Sequence, residues 1–564
     1  MPEDAVNPAG AQPEGWTWRD RARGSVSHAS VLDPATEPLD GIPAVFPTVY
    51  VPDRLLIGGG TDVGLLEGNY DRVRAAAEAF GWDAVRERLD GAELGERERP
   101  EPRIPGGPVV VRVRLTAPDD RQRVAPALPD AWRVLQRLRR DALEAAFGAD
   151  NVAGAGREAV AEVLRKTGID RVGLDHVLTV DPIGINPFTE ANPYGRTNPY
   201  GRTNPYGRTN PYGRTNPYGR TNPVGEYGEA GSGGRQPVAW IGPGPVRTEV
   251  KPGRRRPVVA ILDTGAGVHS WLPDAVVDRD VTIDGRHVGF HDEPNPEIYP
   301  DLYGPLDGEL DPVAGHGTFI AGIIRQAAPD ADLLAIRVAD ALGVVEESNL
   351  LQVVEDLAVL VARHHASGGS DGRPVDVLSM SLGYYHETPE DGYYSRDLYD
   401  LLAALRALGT TVVVSAGNDA VDRPTFPASL WPWPHADNGI VPDGGAEHLS
   451  VGALNPDGRS TALFSNVGPW VRTYAHGAGV VSILPDFVGG IQASARDDEY
   501  NRRRVTIAPE DFRGGFAVWS GTSFAAPLIA GRIAARLRPA LDGDAAAAIA
   551  AAVDAAKEVL GADD

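Results

Sequence analysis

Four short stretches of the chain carry side chains able to act on one another. "VVAILDTGAGV" ends an apolar run on Asp263, and "GHGTFIAGII" opens a helical pattern with His316. "VVVSAGND" sets Asn418 just past another apolar run, and "WSGTSFAAPLIAG" sets Ser523 at the start of a further helical pattern. A serine hydroxyl is a poor nucleophile until a base takes its proton, and a neutral imidazole can do so near neutral pH. A carboxylate then holds the imidazole in the right tautomer and stabilises the imidazolium. Acyl transfer also needs donors aimed at the developing oxyanion. Asp263, His316 and Ser523 are therefore the catalytic candidates, with the Asn418 amide and the Ser523 backbone N–H as oxyanion donors. Taken singly each is weak, because an Asp after a strand often serves a turn and a Ser before a helix often caps it. "DTGAG" also suggests a fragment of a dinucleotide loop, but the third glycine and the later acidic residue are missing.

Such residues work only if the elements around them bring them together. "PVVAILD", "ADLLAIRV", "VDVLSMS", "TTVVVSAG" and "EHLSVGAL" are short apolar runs of buried-strand type. Between several of them lie helical patterns: "HGTFIAGIIRQAA", "NLLQVVEDLAVLVARHH" and "SRDLYDLLAALRAL". Alternation of this kind predicts a parallel sheet covered on both faces. Its site should lie outside the carboxyl ends of the strands, where Asp263 and Asn418 fall.

With these motifs in place, the chain from about 257 to 539 resembles the subtilisin-like serine proteases. The flanking residues agree at all four stations: Asp-Thr-Gly, Gly-His-Gly-Thr, Ala-Gly-Asn and Gly-Thr-Ser-Phe-Ala-Ala-Pro. The order Asp, His, Ser along the chain is that of subtilisin. The resemblance implies an α/β fold, a subtilisin-like doubly wound parallel sheet with helices on both faces, and a serine endopeptidase activity. It also assigns Ser381, Leu382 and Gly383 in "SMSLGYY" to a strand edge that pairs with an extended peptide. Ser415, Ala416 and Gly417 would form one wall of the pocket for the residue before the scissile bond. Phe524 departs from the methionine of many relatives. Segments such as "GFHDEPNPEIYPDLYGPLDGELDP" look like insertions, either rimming the cleft or lying in solvent. The family often binds calcium, and Asp301, Asp307, Glu309 and Asp311 offer oxygens. Their spacing is not that of a calcium loop, so an exposed acidic loop and no cofactor are expected.

The first 250 residues lie outside the resemblance. Residues 1–50 read as an irregular lead-in, and 51–185 as a small α+β domain. Within it "DRLLIGG" and "GPVVVRVRLTA" are strand-like, "NYDRVRAAAEAFGWDAVRERL" helical, and "RVGLDHVLTVDP" a closing strand. Residues 186–250 hold five copies of Asn-Pro-Tyr-Gly-Arg-Thr, from Asn192 to Thr221. Asn, Pro and Gly at the first, second and fourth positions suit a type I turn, and almost nothing aliphatic is available to bury. A linker is the expected role, and 251–564 the catalytic domain. Subtilisin relatives commonly carry an amino-terminal domain that assists folding and blocks the cleft, so the small domain has an intramolecular contact as one expected role and an adaptor function as the other. Asp419 and Asp422, close to Asn418, suggest an acidic pocket mouth that favours a basic or at least uncharged residue. Each repeat carries an Arg, so self-cleavage after Arg196, Arg202, Arg208, Arg214 or Arg220 would follow.

Composition narrows the partners. A formal net charge of -24 argues against a general affinity for nucleic acid or anionic membrane. The absence of cysteine excludes thiolate chemistry and Cys-ligated metal. No secretory signal is recognisable at the start, and no apolar run approaches the ~18 residues of a membrane span. A cytoplasmic protein acting on protein or peptide substrates is expected. The rival reading is a non-enzymatic adaptor on a subtilisin scaffold, against which the intact Asp263, His316, Asn418 and Ser523 weigh. Sedolisin-like acid peptidases are disfavoured by the histidine of "GHGT".

Overall fold

The computed structural model describes most of residues 12–562; residues 118–127, 181–234, 388–394, 490–494 and 538–544, with some shorter stretches, lie outside the description. The Asn-Pro-Tyr-Gly-Arg-Thr tract, and with it the linker and self-cleavage readings, lies outside the described residues.

The amino-terminal domain runs β1 (Val49–Gly60), α1 (Val63–Ala79), β2 (Asp83–Glu87), β3 (Val109–Thr116), α2 (Ala131–Phe147), α3 (Arg157–Thr167) and β4 (Val172–Val180). Asp62 caps α1 by accepting from the Gly64 and Leu65 N–H groups, and Asp130 caps α2 at Trp132. The expected helix over 69–89 is corrected. It stops at Ala79, and Gly81, at φ +78°, turns the chain so that Trp82 enters the core and a strand follows.

The second domain carries β5 (Val258–Asp263), α4 (His316–Ala327), β6 (Asp332–Arg337), β7 (Val344–Glu346), α5 (Glu347–Ala366), β8 (Val377–Met380), β9 (Leu382–Gly383), α6 (Arg396–Ala407), β10 (Thr411–Ser415), β11 (His448–Leu454), β12 (Thr473–His476), α7 (Thr522–Leu537) and α8 (Ala545–Ala562). Its main sheet has the order β12-β11-β10-β8-β5-β6, with Val277–Asp278 beyond β6, and every pairing is parallel. The side-chain period of two sorts the apolar runs between two cores. Val259, Ile261, Val377 and Val413 face α4, α7 and α8. Val258, Ala260, Leu378 and Val412 face α5 and α6. The chain leaves β5 first towards β6 and later returns to β8 on its other side, so the switch point falls at the end of β5.

The two domains share a sheet, of order β7-β4-β1-β3-β2, in which β9 also pairs with β4. Thr179 of β4 sits opposite both Val344 and Gly383, and Val180 opposite Leu382, all antiparallel. One face of this sheet, with Leu55, Ile57 and Val111, packs on α1 and α2. From the other face Leu56, Leu178 and Val180 join the core around α5 and α6.

Candidate active site

Asp263 is the last residue of β5 and His316 the first of α4, both wholly buried. The His316 Nδ1 lies 2.8 Å from Asp263 Oδ1, which also accepts the Thr264 backbone N–H at 2.8 Å. That leaves His316 Nε2, a buried atom with no hydrogen-bond partner, as the nitrogen able to take a proton. The ring packs against Trp519 and Phe524, with centroids 5.4 and 5.2 Å away, which places it beside the first turn of α7 and so beside Ser523. This close seating of α4 requires glycine at 317, where a Cβ would lie 2.1 Å from the Gly265 carbonyl oxygen.

Below the pair sits Glu297, which nothing in the sequence singled out. It accepts the Thr264 hydroxyl at 2.5 Å, the Thr318 hydroxyl at 2.5 Å and the Gly317 N–H at 3.0 Å. It thereby ties the residue after Asp263 to the two residues after His316. Burial, with Asp263 close by, raises its carboxyl above the usual range. The segment expected to be an insertion at the cleft or in solvent is thus partly buried beneath the site, with Glu297, Asp301 and Leu302 inside.

Ser523 is the second residue of α7, and Pro527 four residues on has no N–H to close the helical bond to its carbonyl. The Ser381 hydroxyl takes that place, donating to the Ser523 carbonyl at 2.9 Å. Ser381 therefore supports the backbone at Ser523, while its neighbours Leu382 and Gly383 form β9.

Asn418 follows β10 by a short turn. Its Oδ1 accepts the Thr522 N–H at 2.8 Å and the Thr522 hydroxyl at 3.0 Å, an orientation that directs Nδ2 away from Thr522. The same hydroxyl accepts the Gly417 N–H at 3.1 Å. Ser415 and Ala416 are buried, and Asn466 braces this wall by donating to the Ala416 carbonyl at 2.9 Å. Asn466 Oδ1 accepts the N–H groups of Asp419 and Val421, and Nδ2 also donates to Tyr385. Gly417 is at φ +98°, where a Cβ would meet Asn466 Nδ2 at 2.5 Å. Asp419 and Asp422 are exposed, and the Tyr385 hydroxyl donates to Asp419 at 2.6 Å.

Among the described acidic residues considered for calcium, Asp301 and Asp311 are buried, so the expected exposed loop is corrected. Asp301 is buried against Arg21 and also accepts the Gly308 N–H. Asp311 is buried, accepts the Leu302 N–H at 2.6 Å, and burial pushes its carboxyl up to about 8. Glu309 is exposed and Asp307 lies outside the described residues.

The model of the Subtilase family matches residues 254–559. The chain belongs to the subtilase family. An intracellular serine protease of Paenibacillus polymyxa is 29% identical over 288 residues, 49% of this chain and 65% of that protein. Serine protease AprX of Bacillus subtilis (strain 168) is 26% identical over 287 residues, 48% of this chain and 55% of that protein. The matches thus span less than two thirds of these relatives. A cold-adapted subtilisin-like serine proteinase of known structure is 21% identical, with a TM-score of 0.31 over 52% of this chain and 79% of its own. Among the described residues of this subtilase, no helix is long and apolar enough to cross a membrane.

The geometry brings Asp263 and His316 into contact, sets His316 beside α7, and fixes Asn418 through Thr522. Thr264, Glu297, Asn466 and Thr522 complete the arrangement. Of these, Thr264 and Thr522 sit inside the quoted motifs, whereas Glu297 and Asn466 carried no local signal.

Proposed function

We propose that this subtilase is a serine endopeptidase whose amino-terminal domain holds the cleft closed. Ser523 Oγ attacks the peptide carbonyl as His316 Nε2 takes its proton, and Asp263 stabilises the imidazolium formed. Asn418 Nδ2 and the Ser523 N–H receive the oxyanion, with the positive end of α7 behind them. His316 then protonates the leaving amine, and water, activated by the same base, releases the acyl group. The observation that carries this reading is the buried 2.8 Å contact between His316 and Asp263, which leaves Nε2 as the nitrogen able to take a proton.

Leu382–Gly383 and Val344–Glu346 are the backbone edges that would bind an extended substrate, and β4 pairs with both. Peptide and β4 therefore compete, and the chain is a zymogen. Its own linker is the first expected substrate: every repeat offers an arginine, and the exposed Asp419 and Asp422 lie beside the pocket wall.

The test is intact mass after incubation at neutral pH, beside labelling by a fluorophosphonate, for the wild-type chain and Ser523→Ala. Labelling of the wild type alone supports the nucleophile, and fragments ending at repeat arginines support the specificity. A chain that resists the probe as fully as the Ser523→Ala variant even when Leu178→Asp loosens β4 overturns the enzymatic reading.

A further inference from the structure

His176 lies near the middle of β4 and is wholly buried against the second domain. Its Nδ1 is 2.7 Å from Glu347 Oε2, on the first residue of α5, and its Nε2 is 2.9 Å from Glu387 Oε2. His386 Nδ1 is 3.6 Å from that same Glu387 oxygen, and the two histidine rings lie 5.1 Å apart. One ligand atom from each of His176, His386 and Glu387 lies within 4.8 Å of the others, and all three residues are buried.

We propose that His176, His386 and Glu387 bind a zinc-class divalent cation that staples the amino-terminal domain to the catalytic domain. Zinc takes imidazole nitrogen and carboxylate oxygen at about 2.0–2.2 Å in a tetrahedron, which sets neighbouring ligand atoms roughly 3.4 Å apart. The two separations that involve Glu387 Oε2, 2.9 and 3.6 Å, bracket that value, and the two histidine nitrogens lie within 4.8 Å. Metal-bound histidines usually donate their second nitrogen to a carboxylate, which fixes the ring, and Glu347 stands at that position on His176. The loop bearing the other two ligands is held in advance. The His386 carbonyl accepts from Arg423 at 2.7 Å and the Glu387 carbonyl accepts the Phe46 N–H at 2.7 Å. A cavity of about 30 Å³, lined by the three ligands with Leu56, Arg139 and Asp397, adjoins the cluster and has room for a water as fourth ligand.

The alternative is an imidazolium at His176 bridging Glu347 and Glu387, with His386 packed against the Tyr384 and Phe426 rings, and the variants below separate it from a metal site. Because the ligands come from both domains, the cation binds only the docked arrangement and stabilises it by mass action. None of this depends on whether Ser523 is a nucleophile.

The experiment uses the full chain as Ser523→Ala, so that it stays whole either way. A second cluster, the exposed Asp280 and His291 with the half-buried His287, the two rings stacked at 3.7 Å, would take metal at the surface, so H287A and H291A are added. After chelation and exchange into Zn²⁺, this chain should keep about one equivalent through gel filtration. With Co²⁺ it should show the d–d absorption of a tetrahedral site. His386→Gln, which leaves both His176 contacts in place, should abolish both signals, and so should Glu387→Gln. Near-UV circular dichroism matching that of the parent shows that the loss is not unfolding. No retained zinc in the parent, or retention undiminished in folded H386Q and E387Q, overturns the proposal.

Discussion

The Ser523 carbonyl depends on a donor from another part of the chain, and the dependence can be measured by restoring the donor that the helix lacks. Ser381→Ala removes a 2.9 Å bond to the Ser523 carbonyl from a residue only 1% exposed. Withdrawing a donor at so buried a site costs about 1–3 kcal/mol. Pro527→Ala supplies an N–H four residues along α7, able to close the ordinary helical bond to the same carbonyl. Taken alone it costs about 0.4–1 kcal/mol through the freer unfolded chain. If Ser381 stands in for the missing helical donor, Ser381→Ala should cost about 1–3 kcal/mol beside Pro527 but under about 0.5 kcal/mol in the Pro527→Ala background. Urea denaturation of the four chains, all carrying Ser523→Ala to prevent self-digestion, reads this difference directly. Equal losses in both backgrounds would refute the compensation and leave Ser381 an ordinary buried hydroxyl.

Asn418→Ala should lower kcat by about 10²–10³ with the fold kept, and an unchanged rate on a peptide substrate would remove it from the site. Glu297→Ala should lower kcat about tenfold or more with KM little changed, because the Thr264, Thr318 and Gly317 donors lose their shared acceptor; Glu297→Gln, which keeps an acceptor oxygen, should recover part of it. Asp311 is held up to about 8 by burial against an ordinary 3.8, so the folded state keeps a proton that the unfolded state has lost. Its contribution is full below about 4 and disappears as pH rises through 8, a decline of about 1.4 kcal/mol per pH unit in between that Asp311→Asn should flatten in stability measured against pH. Leu178→Asp places a carboxylate in the apolar contact between β4 and the second domain and should raise peptide hydrolysis several-fold, whereas an unaltered rate would mean that β4 does not restrain access.

The catalytic sheet is legible in the sequence because its strands are covered on both faces. Each then reads as a short continuous apolar run, and the residue after the run must lie at the carboxyl edge. Asp263 and Asn418 fall at that edge by their position in the sequence alone. Glu297 is not, because a lone glutamate among Asp, Pro and Tyr has the composition of a surface loop. Only the distant Thr264 and Thr318 hydroxyls give it a reason to be inside. The strand at Asp83–Glu87 escapes the pattern because "DAVRERL" carries ordinary helical composition, and the break rests on one positive-φ glycine at 81.

β7 and β9 are illegible for a different reason, and that reason bears on regulation. They are three and two residues long and, among the described residues, pair with no strand of their own domain, so their regularity comes from β4. Such edges present backbone donors and acceptors that any extended chain can satisfy. If substrate binds these edges as proposed, the tethered strand meets them at an effective concentration in about the millimolar range and a free peptide of ordinary affinity would lose. Cutting within 181–234 ends that advantage without releasing the domain, since the contacts that hold it lie elsewhere. Arg103 pairs with Glu355 and Asp356 at 2.7 Å, Arg171 with Asp400 at 2.7 Å, and Asp175 accepts from Ser348 twice. On the proposed zymogen reading, linker cleavage would therefore permit activation without accomplishing it, and the strength of this interface would set how long the cleft stays closed.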